Sequence, residues 1–171
     1  MRFFFHILKA TMLGLVVITL VTDGSLALAS AQPTVSGPTP LVVIVSARSG
    51  IHDLPKALLK RIFLGEASEY QGTRFVPLNY VVSDPVRRAF DEMLLGFAGD
   101  AAGRYWVDRR IRGQGLPPRI APSSAVVRVA VAKLPGAIGY VRPADLDASV
   151  RAVTVDGLPY TAADYALRAS R

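Results

Sequence analysis

The sequence contains no cysteine. A nucleophilic thiol, a thiolate metal site and a disulfide are therefore excluded, as is lipid attachment to an N-terminal cysteine. Histidine is also scarce, because the chain has two, and one of them, His6, lies in the N-terminal segment. Packing must therefore stabilise the folded chain without a disulfide.

Residues 1–31 predict an export signal. Arg2 and Lys9 give a basic start, residues 10–21 form an apolar run, and Ala29-Ser30-Ala31 offers small residues for cleavage. This layout is typical of a secretory signal peptide. The alternative is an uncleaved anchor, because residues 3–21 are nearly long enough to cross a bilayer. Cleavage near Ala31 would give a periplasmic or secreted protein with no stable membrane insertion.

The remaining chain is basic and rich in arginine. Removal of residues 1–31 changes the formal net charge from +7 to +6 and leaves fifteen arginines but only three lysines. Arginine suits bidentate recognition of oxyanions, although scattered solvated arginines would give the same composition. An exported protein does not meet nucleic acid, so we expect no nucleic-acid partner.

Three regions follow the predicted signal. Residues 32–40 are rich in proline and read as a linker, residues 41–160 as one α/β lobe, and residues 161–171 as a tail or short helix. The run Leu41–Val45 is typical of a strand covered on both faces, as in a parallel sheet. Further strands are predicted over 73–78, 138–141 and 150–155. Helices are predicted to begin at Pro55, at Ser83-Asp84-Pro85, at Asp100 and at Ser123 or Ser124.

This alternation of strands and helices predicts a three-layer α/β domain with a mixed, mostly parallel sheet. Apolar residues at helical spacing mark the buried faces of the helices. In the helix that follows Ser123 these residues are Val127, Ala130, Val131 and Leu134.

Catalysis finds little support in the sequence. His52 and Asp53 are adjacent, but no Gly-x-Ser-x-Gly elbow accompanies them, and the pair is typical of a surface turn before a helix. The carboxylate pairs Glu66/Glu69 and Asp91/Glu92 belong to no recognisable motif. We therefore expect no catalytic residue, no metal site and no cofactor.

A helix N-terminus remains as a candidate anion site. The helix that begins near Ser83 presents free N–H groups and a partial positive charge, Ser83 has a hydroxyl to donate, and Arg87 lies one turn further along. In the alternative interpretation, Asp84 caps the helix and no ligand binds there.

Five motifs occur in one order between residues 41 and 155, and they resemble signatures of the phosphate-type substrate-binding proteins of ABC transporters. They are Arg61-Ile62-Phe63-Leu64-Gly65, Ser83-Asp84-Pro85-Val86-Arg87, Trp106 with Gly113, Pro117-Pro118, and Pro135-Gly136-Ala137-Ile138-Gly139-Tyr140-Val141. The resemblance implies one lobe of the type II periplasmic binding protein fold. It also implies a phosphate-like anion as ligand and an ABC permease or another envelope protein as partner.

The resemblance extends to individual site positions. Full-length phosphate receptors carry an Arg-x-Asp-Gly-Ser-Gly-Thr loop around the anion, and its serine matches Ser83. Its arginine and second glycine fall on Asn79 and Asp84, and its aspartate and threonine on Val81 and Pro85. The segment after the first strand contributes further polar candidates, which we expect at the same edge of the sheet: Ser46, Arg48 and Ser49.

Two functions follow as expectations. The first is an exported solute-binding-like protein that takes phosphate or another oxyanion in ABC transport. The alternative is an envelope interaction module that keeps the scaffold and has lost the ligand clasp.

Overall fold

The computed structural model describes residues 39–168. The predicted signal peptide, most of the predicted linker and the last three residues of the predicted tail lie outside the described residues. None of the helices within residues 39–168 has the length and apolar composition needed to span a bilayer.

In chain order the elements are β1 (Val42–Ser46), β2 (Asp53–Leu54), α1 (Lys56–Phe63), β3 (Glu69–Tyr70), β4 (Thr73–Arg74), β5 (Val76–Tyr80), α2 (Pro85–Phe90), a π-helical turn (Asp91–Leu95), α3 (Ala101–Ile111), β6 (Arg119–Ala121), α4 (Ser124–Lys133), β7 (Ala137–Val141), a short 3₁₀ helix (Pro143–Asp145), β8 (Val150–Ala152) and β9 (Thr154–Val155).

The central sheet has five strands in the order β6-β5-β7-β1-β8. Strand β5 is parallel to both β6 and β7, whereas β1 is antiparallel to both β7 and β8. Four strands therefore point in one direction and β1 points in the other. The predicted mixed, mostly parallel sheet is confirmed, and its two short companions are the β3–β4 hairpin and the parallel pair β2–β9.

Strand β1 is buried on both faces, as its apolar run predicts. Residues Leu41 to Val45 are each no more than 3% exposed. Both of its neighbours are antiparallel, however, so its burial does not come from a parallel setting. The run reflects the helices that cover both faces of the sheet, and such cover is compatible with either strand direction.

The helices lie on opposite faces of the sheet. On one face, α4 packs so closely that a Cβ on Gly139 would lie 2.7 Å from Val127 Cγ1. On the other face, the ring of Tyr140 stacks on Phe90 of α2 at 3.6 Å between centroids and meets Phe63 of α1 at 5.9 Å. Because side chains alternate along β7, Gly139 and Tyr140 point to opposite layers. The predicted three-layer arrangement is thereby confirmed.

Some local predictions are wrong. Leu134 is 39% exposed, because it is the C-terminal cap of α4 and has an extended backbone that turns it away from the sheet. The predicted strand 150–155 divides at Val153 into β8 and β9. Of the two forms expected for the C-terminal segment, a tail or a short helix, residues 161–168 take that of a tail made of turns, in which Tyr165 and Leu167 are buried and Leu41 donates its backbone N–H to the Leu167 carbonyl.

Candidate functional site

The N-terminus of α2 is capped internally. Asp84 has an extended backbone, and its Oδ1 accepts a hydrogen bond from Val86 N at 2.7 Å. Ser83 is exposed beside it. Because the carboxylate occupies the helix N–H group and carries a negative charge, it opposes an anion at this position.

Arg87 lies inside the protein. It is 5% exposed, its Nε donates to Asp91 Oδ2 at 2.7 Å, and its Nη1 donates to the Tyr80 carbonyl at 3.0 Å. This guanidinium therefore does not fold back toward a ligand at Ser83. The reason is that the side of α2 that carries Arg87 faces β5. Asp91, one helical turn after Arg87, supplies the counter-charge.

Asn79 is also structural. It is 1% exposed, and its Oδ1 accepts hydrogen bonds from Tyr80 N, at 3.0 Å, and from the Tyr140 hydroxyl. Burial raises the pKa of the Tyr140 hydroxyl well above its usual value, so this group stays a neutral donor at physiological pH. Asn79 therefore joins β5 to β7 and does not reach the surface where Ser83 lies.

A small cleft of about 230 Å³ opens at the carboxyl ends of β5, β6 and β7. Its charged lining residues are Asp84, Asp145 and Arg142. The hydroxyl of Ser124 donates to Asp145 Oδ1 at 3.0 Å, and Ser123 Oγ accepts from Val126 N at 3.3 Å as the cap of α4. With two carboxylates against one cation and both helix starts capped, this edge disfavours an oxyanion.

The polar residues after β1 lie at the opposite end of the sheet. Val42 pairs with Val141 and Val45 pairs with Ile138, so the carboxyl end of β1 meets the amino end of β7. Ser46, Arg48 and Ser49 are therefore separated from Ser83, and the expectation of one shared edge is wrong. The antiparallel direction of β1 is the cause.

These three residues instead line a larger cavity, which we call the basic groove. It has a volume of about 710 Å³ and is bounded by residues 46 and 48–50, 72–74, 76 and 132–136. Three of its lining residues are cationic, namely Arg48, Arg74 and Lys133, and no lining residue is a carboxylate. None of these three cations forms an ion pair with another residue of the described range 39–168.

One wall of the basic groove is the loop that follows β1. Arg151 fixes this loop, since its Nη1 donates to the Ser49 carbonyl at 2.6 Å and its Nη2 donates to the Ala47 carbonyl at 2.7 Å. Ser49 Oγ accepts from Ile51 N at 3.2 Å. The half-buried part of the wall is therefore anchored, while Arg48 remains exposed.

The opposite wall joins the β3–β4 hairpin to the turn before β7. Val76 N donates to the Gly136 carbonyl at 2.9 Å. Gly136 has a φ of +72°, and a Cβ at this position would lie 1.9 Å from the Arg74 carbonyl oxygen. This close approach of two backbones holds Arg74 and Lys133 on the same groove. Glu69 faces Arg74 across the hairpin but does not line the cavity.

Sequence reasoning missed Arg74 and Lys133. Each lies within three residues of a turn glycine, Gly72 or Gly136, but no spacing pattern links one residue to the other. Only the contact between the hairpin and the turn brings them together. A signal that could have directed attention to them is the conspicuous Pro135-Gly136 turn itself.

The adjacent residues His52 and Asp53 make separate contacts. Asp53 Oδ1 accepts from Thr154 Oγ1 at 2.5 Å and from Gly157 N at 2.8 Å, whereas exposed His52 lies 3.4 Å from Arg151 Nη1. Across residues 39–168, no group of three His, Cys, Asp or Glu side chains is placed to hold a metal ion.

No protein-family model matches the sequence, and neither does any of the curated proteins compared with it. Solved structures do match. A Clostridium perfringens protein described as a phosphate ABC transporter substrate-binding protein, solved with bound phosphate, superposes with a TM-score of 0.60 at 22% identity. That match covers 73% of this chain and 48% of the other chain.

Two further structures give the same result. An ABC-type phosphate transport receptor from Vibrio cholerae has a TM-score of 0.60 at 15% identity, covering 73% of this chain and 49% of that one. PstS from Borrelia burgdorferi has a TM-score of 0.56 at 15% identity, covering 71% and 49%. The chain has the fold of these proteins.

The shared fold confirms the structural part of the sequence resemblance. The chain spans about half the length of the solved structures that it matches. The match therefore corresponds to one portion of a phosphate-binding protein scaffold.

Proposed function

We propose that this protein is an exported, non-enzymatic binding protein for phosphate-class oxyanions, and that the anion binds in the basic groove. The observation that carries the proposal is the set of three cations, Arg48, Arg74 and Lys133, around a cavity with no carboxylate in its lining. Arginine forks and a lysine ammonium group are the usual protein partners of phosphate oxygens.

The size of the groove favours an anion with several charges. A volume of about 710 Å³ lies within the range of ordinary ligand pockets and exceeds what one phosphate ion fills. Because the cations are exposed, each contact is screened by solvent and contributes little by itself. An inorganic polyphosphate or a phosphorylated organic molecule engages all three at once and fits the groove better than free phosphate.

A role in transport is the second part of the proposal. Two solved structures with this fold are described as a phosphate ABC transporter substrate-binding protein and a phosphate transport receptor, which supports a solute-binding role for the scaffold. On this proposal the protein acts in the periplasm and delivers its anion to an ABC permease or another envelope protein.

The decisive experiment titrates the purified protein with sodium tripolyphosphate, phosphate and sulfate by calorimetry. We expect tripolyphosphate to bind most tightly, and Arg48→Ala, Arg74→Ala and Lys133→Ala each to weaken binding by about two- to fivefold. The control is Arg88→Ala, an exposed arginine on α2 outside the groove, which leaves the affinity unchanged. A variant that combines all three alanine substitutions and still binds tripolyphosphate with unaltered affinity would overturn the assignment of the anion site to the basic groove.

A second candidate function, an envelope interaction module, is favoured by one observation. At the position that matches the phosphate clasp, Asp84 already accepts from Val86 N and Arg87 is paired with Asp91, so neither this N–H group nor this guanidinium is available to an anion. On this reading the basic groove docks an acidic segment of an envelope protein. On this alternative, the same titrations give no heat with any of the three anions. In-cell cross-linking of the wild-type protein captures an envelope protein, and the variant with Arg48, Arg74 and Lys133 all replaced by alanine loses that cross-link.

A further inference from the structure

Helix α3 carries an exposed face with mixed apolar and charged character. Six residues line this face and a shallow hollow of about 450 Å³ along it, namely Asp100, Gly103, Arg104, Val107, Asp108 and Ile111. We call them the outer face of α3. Its apolar side chains are open to solvent, since Val107 is 59% and Ile111 81% exposed.

The inner residues of the same helix attach it to the domain. Tyr105 Oη donates to the Leu64 carbonyl at 2.9 Å, and Arg109 Nη2 donates to the Gly65 carbonyl at 3.1 Å. Trp106 closes over Gly65, where a Cβ would lie 3.2 Å from the indole. These contacts fix the orientation of α3, so the outer face is held rigidly toward solvent.

The charges beside the apolar residues alternate in sign at every fourth position. From the N-terminal end they are Asp100, Arg104, Asp108 and Arg112, and they form two exposed ion pairs within the helix. A row that reads negative, positive, negative, positive reads with the opposite signs from its other end. An identical row placed antiparallel therefore meets an opposite charge at each position.

We propose that the outer face of α3 binds the outer face of α3 in a second copy of this chain, with the two helices antiparallel about a twofold axis near residue 106. In this arrangement Arg104 of each copy lies opposite Asp108 of the other. Val107 packs on its own counterpart. Because Gly103 has no side chain, the two helix axes can approach to about 8–10 Å, the usual distance between packed helices.

The charge pattern selects a second copy over other occupants. A partner of uniform sign would match only two of the four charges in the row and would face like charges at the other two. An isologous contact uses the same patch twice, so both Arg104–Asp108 pairs form together. The inference is independent of the basic groove, which is lined by residues of other elements.

The expected association is weak, because one short helix from each copy buries less than about 1,200 Å². Sedimentation equilibrium of the protein purified from cells that express the full chain measures it. We expect a reversible dimer, and a dissociation constant raised at least about tenfold by Val107→Glu or Ile111→Glu, each of which places a carboxylate among the apolar side chains of the contact. Val129→Glu on α4, at a site that is 53% exposed, is the matched control and leaves the dimer intact.

Charge reversal separates this contact from a general loss of solubility or folding. Arg104→Asp and Asp108→Arg should each weaken self-association, since like charges then face each other across the twofold axis. An equimolar mixture of the two variants should form a heterodimer, because both cross-pairs become opposite again. A chain that stays monomeric at every concentration, or variants that fail to associate when mixed, would overturn the proposal.

Discussion

Arg87 Nε donates a hydrogen bond to Asp91 Oδ2 at 2.7 Å, and both side chains are almost completely buried, at 6% and 10% exposed. Removal of one partner from such a pair leaves the other charge buried without compensation. We expect Arg87→Ala to lower the free energy of unfolding by about 3–5 kcal/mol, measured by urea denaturation. Its anion affinity, measured under conditions where the variant is folded, should equal that of the wild type.

The neighbouring arginine is the control for this prediction. Arg88 is exposed on the same helix, so Arg88→Ala should change the free energy of unfolding by less than about 0.5 kcal/mol. If Arg87→Ala instead abolished anion binding and left stability unchanged, Arg87 would be a ligand residue after all.

The same ion pair gives the protein a defined pH dependence. Burial raises the pKa of Asp91 above its ordinary value of 3.8, and this effect outweighs the opposing hydrogen bond and charge of Arg87. The folded chain therefore holds this proton more tightly than the unfolded chain does. The stability that protonation of Asp91 contributes is fully present below pH 3.8, and it is lost as pH rises through the raised pKa of the folded protein.

Asp91→Asn removes this titration and keeps the shape of the side chain. We expect the difference in unfolding free energy, wild type minus Asp91→Asn, to fall as pH rises from 3.8 toward neutrality. Urea denaturation of both proteins at a series of pH values measures that difference. A difference that grows with pH would show that the pKa of Asp91 is lowered in the folded protein.

The fold was predictable because the residues behind the resemblance are packing residues. Gly65 lies under Trp106, Gly136 crosses the backbone of Arg74, and Gly139 admits α4 to the sheet. At each of these positions a Cβ would come close to a neighbouring group, so the glycine in the sequence marks a point where two elements pack closely. The same residues carry no information about a ligand, so the confirmed fold leaves the identity of the ligand-binding residues a prediction.

The candidate site depended on long-range facts that no local pattern contains. Whether Ser46 lies near Ser83 depends on the direction of β1, and that direction is set by pairing with β7 about ninety residues further along the chain. A buried apolar run is the same for either direction. In the same way, the i to i+4 spacing of Arg87 and Asp91 was visible, but the side of α2 that faces β5 was not.

Gly136→Ala should destabilise the protein strongly. The φ of +72° disfavours any residue with a Cβ, and the added carbon would lie 1.9 Å from the Arg74 carbonyl oxygen. Backbone cannot yield as a flexible side chain does, so we expect a loss of about 2–5 kcal/mol by thermal or urea denaturation. Gly50→Ala is the control, because nothing lies within 4 Å of its added Cβ, and a comparable loss there would contradict the steric explanation.

Gly139 and Val127 should show energetic coupling across the interface of β7 and α4. A Cβ on Gly139 would lie 2.7 Å from Val127 Cγ1, so Gly139→Ala overpacks the contact at a cost of about 1–3 kcal/mol. Val127→Ala alone leaves a cavity, but it also makes room for the new methyl group. The double variant should therefore lose at least about 1 kcal/mol less than the sum of the single losses, and strict additivity would contradict the contact.

Ionic strength tests where the anion binds. The cations of the basic groove, Arg48, Arg74 and Lys133, are exposed, so their attraction for tripolyphosphate should weaken as the Debye length falls from about 30 Å at 0.01 M salt to about 3 Å at 1 M salt. We expect the dissociation constant to rise at least about tenfold over that range in sodium chloride, measured by calorimetry. The Lys133→Ala variant should show a shallower dependence because one cation is gone. An affinity that does not change with salt would place the anion in a buried site, and the groove would then lose its assignment.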